Sequence, residues 1–130
     1  TTTYNQLNAA PLTDDHFSFV NQVPADYNVW HGGALDHTTD TATDGSTGYM
    51  MLVGADAKPG EIIRLPVHNL CLGARYEFSA YVANVVKKGF NLIKPNVRFE
   101  ARTATSDNTL IASVSSGDMD EYSTLTWKQY

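Results

Sequence analysis

Apolar and polar residues alternate along several short stretches of this chain, which is the pattern of a β-strand with one buried face. Residues 75–84 carry apolar side chains at every even position from 76 to 82. Residues 96–102 alternate more cleanly, with apolar residues at 97, 99 and 101 between polar or charged neighbours. Residues 109–114 place apolar side chains at 110, 112 and 114. Each stretch therefore predicts a strand whose apolar face turns inward.

Shorter stretches add to this pattern, and Gly, Pro, Asn and Asp stand between them at turn positions. No stretch repeats apolar residues at the spacing of an amphipathic helix. Many short strands joined by turns are typical of an antiparallel β-sandwich. The further predicted strands are residues 16–20, 49–53, 61–67 and 125–130.

Size and charge narrow the class of protein. The chain has 130 residues, which fits a single domain spanning residues 1–130. No apolar run approaches the roughly 18 residues of a membrane span, so we expect no membrane insertion.

The net charge is -5, with only nine Lys and Arg residues scattered along the chain. Nucleic acid needs a basic patch, so we expect no nucleic-acid partner. The acidic excess suits a hard cation such as calcium.

The single cysteine rules out a disulfide within the chain. Cys71 stands between Leu70 and Leu72. Free cysteine is among the most buried residue types, so this apolar setting predicts a buried structural thiol.

Three groups of residues follow one another in an order that spans most of the chain, from about residue 17 to residue 130. The first group is Trp30 with Asp-His-Thr at 36–38 and Gly-Tyr-Met-Met-Leu-Val at 48–53. The second group is Pro-Gly-Glu at 59–61 with Tyr-Glu-Phe-Ser-Ala-Tyr at 76–81. The third group is Pro-Asn-Val-Arg-Phe-Glu at 95–100 with Trp-Lys-Gln-Tyr at 127–130.

This order resembles the jelly-roll modules of secreted multidomain proteins, among the carbohydrate-binding modules and galactose-binding-like domains. Its first group also resembles the start of MAM domains, which are adhesive extracellular jelly rolls. The resemblance implies an all-β antiparallel sandwich at an extracellular or cell-surface address. The paired cysteines of MAM domains are absent, with only Cys71 in a matching place. Members of these families continue through further strands, so we expect an excised module, or last strands supplied by a partner chain or neighbouring module.

Acidic residues at every fourth position mark the segment 36–47, which also holds several Thr and Gly residues and is interpreted as one long loop. Calcium takes six to eight oxygen ligands, and carboxylates, hydroxyls and carbonyls supply them. The resemblance implies a structural calcium between such a loop and the first strand. The spacing is not that of an EF-hand, and a polar loop whose Asp residues cap turns is the alternative. The candidate ligands are Asp36, Asp40 and Asp44, with Asp14 from the N-terminal region.

Aromatic and polar side chains are the candidates for holding a sugar. Tyr and Trp rings stack on the apolar C–H faces of sugars, while amide and charged groups grip the hydroxyls. Tyr81 interrupts the polar face of its predicted strand, and Trp30 lies beside His31 and the Gly-Gly pair at 32–33. Packing in the core is the commoner fate of such rings. The candidate ligand-binding residues are Trp30, Tyr81, Asn84, Arg98, Glu100 and Trp127.

No catalytic motif stands out, and the four histidines do not form a zinc-binding pattern. We therefore expect a non-catalytic module that recognises glycans or glycoproteins and is stabilised by calcium. The alternative is a structural or adhesion domain whose open sheet edge is completed by a partner strand.

Overall fold

The computed structural model describes residues 1–8, 12–25, 27–90 and 93–130. Strands form most of the regular secondary structure in these residues, and the helix among them is a single short one, so the predicted all-β class is confirmed. In chain order the elements are β1 (Asn5–Gln6), β2 (His16–Val20), α1 (His37–Thr41), β3 (Met50–Gly54), β4 (Tyr81–Val82), β5 (Asn96–Arg102), β6 (Leu110–Asp118) and β7 (Lys128–Gln129).

The described strands form three small sheets. The first has the order β1-β2-β3, with β1 parallel to β2 and β2 antiparallel to β3. The second pairs β4 with β7, and the third pairs β5 with β6, both antiparallel. Because β4 and β7 are far apart in sequence, this pairing brings the middle of the chain to residues 128–130.

The core lies against the first sheet. Met50, Leu52 and Gly54 alternate as the buried positions of β3, as a strand with one covered face requires. Gly54 has no room for a side chain, because a Cβ there would lie 2.4 Å from the Thr13 carbonyl oxygen. The buried apolar residues are Tyr4, Leu12, Phe17, Val23, Met50, Leu52 and Met119.

Four predicted strands are present. β2 and β5 have the predicted bounds of 16–20 and 96–102, and β3 is shifted by one residue from 49–53. β6 begins at Leu110 and runs past the predicted end to Asp118. Within β5, Val97 and Phe99 are half-buried and Arg98 is exposed, as predicted. The predicted inward position of Ala101 is wrong, because this residue is exposed.

The other three predicted strands are either absent or much shorter than predicted. Residues 61–67 form no strand, residues 75–84 form only β4, and residues 125–130 form only β7. Alternation favours a strand, but a strand also needs a neighbour to bond its backbone. Between residues 65 and 79, no described strand supplies that neighbour. The predicted inward face of β6 is also wrong, because Leu110 and Val114 lie exposed.

Two local predictions are corrected as well. Cys71 is exposed, because the segment that carries it lies outside every described sheet. Residues 36–47 do not form one long loop, since α1 occupies His37–Thr41. This helix forms because Asp36 caps its first turn, a role that short acidic side chains favour.

Candidate functional site

One face of the β4–β7 ribbon collects aromatic and amide side chains. Tyr81 stands opposite Gln129 in the strand register. The backbones of Ala80 and Tyr130 exchange two hydrogen bonds of 3.0 Å, which extend the ribbon by one residue pair. Because side chains alternate along a strand, Trp127 falls on the same face as Gln129. Tyr81, Gln129 and Trp127 therefore share one face.

His37, at the start of α1, lies over this face. Its imidazole stacks on the Tyr81 ring, with centroids 3.6 Å apart and planes 17° from parallel. The Trp127 ring meets the same imidazole edge-on, at 5.9 Å and 83°. These are favoured arrangements of aromatic rings. We call the group of Tyr81, His37, Trp127 and Gln129 the aromatic face.

Polar groups surround the Tyr81 ring. Its hydroxyl donates to Gln129 Oε1 at 3.4 Å, and Gln129 Nε2 donates to Ser79 Oγ at 3.1 Å. The Trp127 Nε1–H group is buried and has no acceptor among the described residues. Tyr81 is 48% exposed although His37 covers one side of its ring, so the other side faces solvent. The aromatic face thus offers an open ring with hydrogen-bonding groups beside it.

The cap of α1 holds His37 in place. The Asp36 backbone N–H donates to the Asn21 carbonyl at 2.9 Å. Its carboxylate accepts from the Thr39 backbone N–H at 3.1 Å and from the Thr39 hydroxyl. The same hydroxyl accepts from the Gly48 N–H at 3.1 Å. A Cβ on Gly48 would lie 2.6 Å from Asp36 Oδ1, so only glycine fits there.

Two opposing effects act on the Asp36 carboxyl. Burial disfavours its charged form, and the hydrogen bonds from Thr39 favour it. The hydrogen bonds prevail, so the pKa of Asp36 lies below its usual range. Hydrogen bonds from Ser46 likewise lower the pKa of Asp44.

Two other predicted ligand-binding residues are engaged elsewhere in the chain. The Trp30 ring stacks on Tyr27 at 3.9 Å and 18°, and its backbone forms a bridge with Val86. Asn84 is only 6% exposed. Its Nδ2 donates to the Met119 carbonyl at 3.2 Å, and its Oδ1 accepts from the Val86 N–H at 3.0 Å. Asn84 thus ties separate segments of the chain together.

Arg98 and Glu100 lie on β5, away from the aromatic face. Glu100 bonds Arg102 Nε at 2.7 Å and lies 4.0 Å from Arg98 Nη1. Phe99 points to the opposite side of β5 and faces the Tyr130 ring at 6.4 Å. Of the six predicted ligand-binding residues, the structure therefore brings Tyr81 and Trp127 together through His37.

A separate open groove of about 500 Å³ is lined by residues 88–89, 94 and 120–122. Lys94 pairs with Asp120 at 2.6 Å, and Glu121 accepts from the Gly89 N–H. The Lys128 ammonium lies 5.0 Å from the Tyr122 ring centroid. Most of the charged groups that line the groove therefore already have a partner within the chain.

The candidate calcium ligands occupy separate local settings. Asp36 bonds Thr39, Asp44 Oδ1 accepts from Ser46 N–H at 2.9 Å, and Asp40 is exposed on α1. Asp14 precedes β2 and is also exposed. No three His, Cys, Asp or Glu side chains gather into a metal-binding group within the described ranges. The calcium site stays a prediction.

His37 and Gln129 are not among the ligand-binding residues that the sequence predicts. Period-two alternation from Trp127 is the signal that finds Gln129. No comparable signal exists for His37, because its place beside Tyr81 depends on how α1 lies against β4.

Comparisons with protein-family models, with curated proteins and with solved structures find no significant match. No helix in the described part of the chain has the length and hydropathy that a membrane span requires.

Proposed function

We propose that this chain is a non-catalytic, extracellular binding module that recognises glycans or glycoproteins through the aromatic face. The observation that carries the proposal is the Tyr81 ring, which is stacked on His37 on one side and open on the other. A sugar places a patch of C–H groups on such a ring and its hydroxyls at the edges.

The polar groups around Tyr81 match that need. Gln129 and Ser79 offer an amide and a hydroxyl next to the phenol oxygen. Sites for small ligands combine an apolar surface with a few fixed polar groups in this way.

We further propose that the strands belong to a β-sandwich of jelly-roll type. The all-β class, the short antiparallel pairs and the sequence resemblance support that topology. A structural calcium near α1 and an extracellular or cell-surface address follow from the same resemblance.

Binding to an array of immobilised glycans, followed by NMR titration of the best ligand, tests this function. We expect Tyr81→Ala to weaken binding about tenfold, or about 1.4 kcal/mol. Tyr49→Ala is the matched control, because Tyr49 is 76% exposed and precedes β3. No binding by the wild-type chain, or equal loss in both variants, would exclude the aromatic face as a sugar site.

A second function is favoured by a different observation. The backbone of residues 65–79 has no strand partner among the described residues, and its large apolar side chains are exposed. An adhesion domain completed by a partner strand presents such a segment.

A further inference from the structure

The hydrogen bonds of the aromatic face leave part of the Gln129 amide unused. A glutamine amide has two N–H donors and a carbonyl oxygen with two lone pairs. Gln129 donates one N–H to Ser79 Oγ at 3.1 Å, and its Oε1 accepts from the Tyr81 hydroxyl at 3.4 Å. The second N–H and the second lone pair have no partner among the described residues, so both are open to a ligand.

The two neighbours of this amide add one unused group of each kind. Ser79 accepts from Gln129, so its own O–H remains a donor. Tyr81 donates to Gln129, so its oxygen remains an acceptor. All three residues are exposed, so a ligand can reach these groups. One edge of the Tyr81 ring therefore presents two donors and two acceptors side by side.

A mixture of donors and acceptors suits hydroxyl groups. Each hydroxyl donates one hydrogen bond and accepts others, whereas an ionised carboxylate only accepts. An anionic group at this edge would face the lone pairs of Tyr81 and Gln129 with no proton to share. The polar atoms are linked at 3.1 and 3.4 Å, and such close spacing fits two hydroxyls on adjacent carbons.

The charges near the aromatic face also disfavour an acidic ligand. Asp40 lies three residues after His37 in α1, so the two side chains are neighbours on the helix surface. Lys128 precedes Gln129 in β7, so its side chain points to the opposite face of the ribbon. Its ammonium lies there over the Tyr122 ring. An acidic sugar would meet the Asp40 carboxylate, while the Lys128 ammonium is turned away.

The size of the aromatic face matches a single sugar ring. Ser79 and Tyr81 are two residues apart in an extended chain, which is roughly 7 Å, and Gln129 lies roughly 5 Å away across the ribbon. His37 covers one side of the Tyr81 ring, so a ligand can stack only on the other side. This area is comparable to that of one pyranose ring.

We propose that the aromatic face binds one neutral sugar ring through two adjacent free hydroxyls, with a C–H patch of the sugar on Tyr81. One hydroxyl accepts from Ser79 and from the free N–H of Gln129. The other hydroxyl donates to the Tyr81 oxygen or to Gln129 Oε1. The inference rests on the proposed sugar-binding function and adds the class of sugar and the groups by which it is recognised.

NMR titration of the whole chain with the methyl pyranosides of glucose, galactose and mannose tests the proposal. Monodeoxy analogues of the sugar that binds tightest then identify the hydroxyls in contact. We expect loss of either of two adjacent hydroxyls to weaken binding roughly two- to tenfold, as removal of a hydrogen bond does. Loss of any other hydroxyl should have less effect. The corresponding methyl uronide should bind more weakly than the neutral sugar.

Variants of the chain assign each hydroxyl to its partner. Ser79→Ala should weaken binding of the parent sugar roughly two- to tenfold. It should have no further effect on the analogue that lacks the hydroxyl at Ser79, because that contact is already lost. Gln129→Glu removes both N–H donors and should also weaken binding. Gln6→Glu is the matched control, because Gln6 is an exposed amide on β1.

The outcomes separate this inference from the proposed function. It would be overturned if none of the three pyranosides shifts the Tyr81 ring resonances, and the glycan array then decides whether the function survives. Deoxy analogues that all bind as tightly as the parent sugar would overturn the inference alone. A uronide that binds more tightly than the neutral sugar would do the same. Coupling between Ser79→Ala and one particular hydroxyl would support it.

Discussion

The imidazole of His37 lies on the phenol ring of Tyr81, with centroids 3.6 Å apart and planes inclined by 17°. This contact joins the first turn of α1 to β4. It fixes one side of the Tyr81 ring while the other side remains open. The orientation of the ring therefore depends on a helix of five residues and on the cap that holds it.

We expect His37→Ala to release the Tyr81 ring and weaken glycan binding, whereas His37→Phe should preserve it. An aromatic pair is worth about 0.5–1.5 kcal/mol beyond area burial, which corresponds to roughly two- to tenfold in affinity. NMR titration measures the affinity, and the Tyr81 ring-proton shifts report the stack before any ligand is added. Unchanged ring shifts in His37→Ala would contradict the stacked geometry.

The Asp36 cap of α1 should contribute measurably to the free energy of unfolding. Asp36→Ala removes the acceptor for Thr39, and loss of such a cap costs about 1 kcal/mol of unfolding free energy. Asp36→Asn keeps an acceptor oxygen and should lose less. Urea unfolding at neutral pH compares the three chains. Equal stability of Asp36→Ala and the wild type would show that the cap does not contribute.

The lowered pKa of Asp36 predicts acid sensitivity. Its folded pKa lies below the unfolded value of about 3.9, so the ionised carboxylate stabilises the fold. This contribution is complete above the unfolded pKa and disappears as the pH falls through the folded pKa. The stability difference between the wild type and Asp36→Asn should therefore shrink from pH 5 towards pH 2. A difference that is constant with pH would contradict the lowered pKa.

Calcium should raise the melting temperature if the predicted site near α1 exists. A ligand that binds only the folded chain adds about 2.7 kcal/mol at 100 times its dissociation constant, which is a shift of several degrees. Thermal melts with EDTA, with calcium and with magnesium measure this effect. The rise should vanish when Asp40 and Asp44 are both changed to Asn. Identical melts in EDTA and calcium would remove the metal from the proposal.

The exposure of Cys71 predicts a reactive thiol in the folded chain. A thiol-alkylating reagent should add one label without denaturant, as intact mass would show. Cys71→Ser should change the unfolding free energy by less than about 0.5 kcal/mol, as is usual for surface positions. Labelling that occurs only after unfolding would contradict the exposed position.

The all-β class and the bounds of β2 and β5 could be predicted from local patterns in the chain. In both strands the local alternation coincides with a paired neighbour, so the pattern and the structure agree. Residues 75–80 alternate as clearly but form no strand. Their pattern defines two faces but says nothing about whether another segment arrives to bond the backbone.

The candidate site likewise combines residues that the sequence predicts with contacts that depend on how distant segments pack. The sequence singled out Tyr81 because it interrupts the polar face of its predicted strand, and Trp127 as a further aromatic candidate. The packing of α1 against β4 brings His37 onto Tyr81, and the fold uses the amide of Asn84 within the chain. Alternation and turn chemistry are local properties that a sequence displays directly. The meeting of residues distant in sequence depends on how separate elements pack, which no single stretch of the chain encodes.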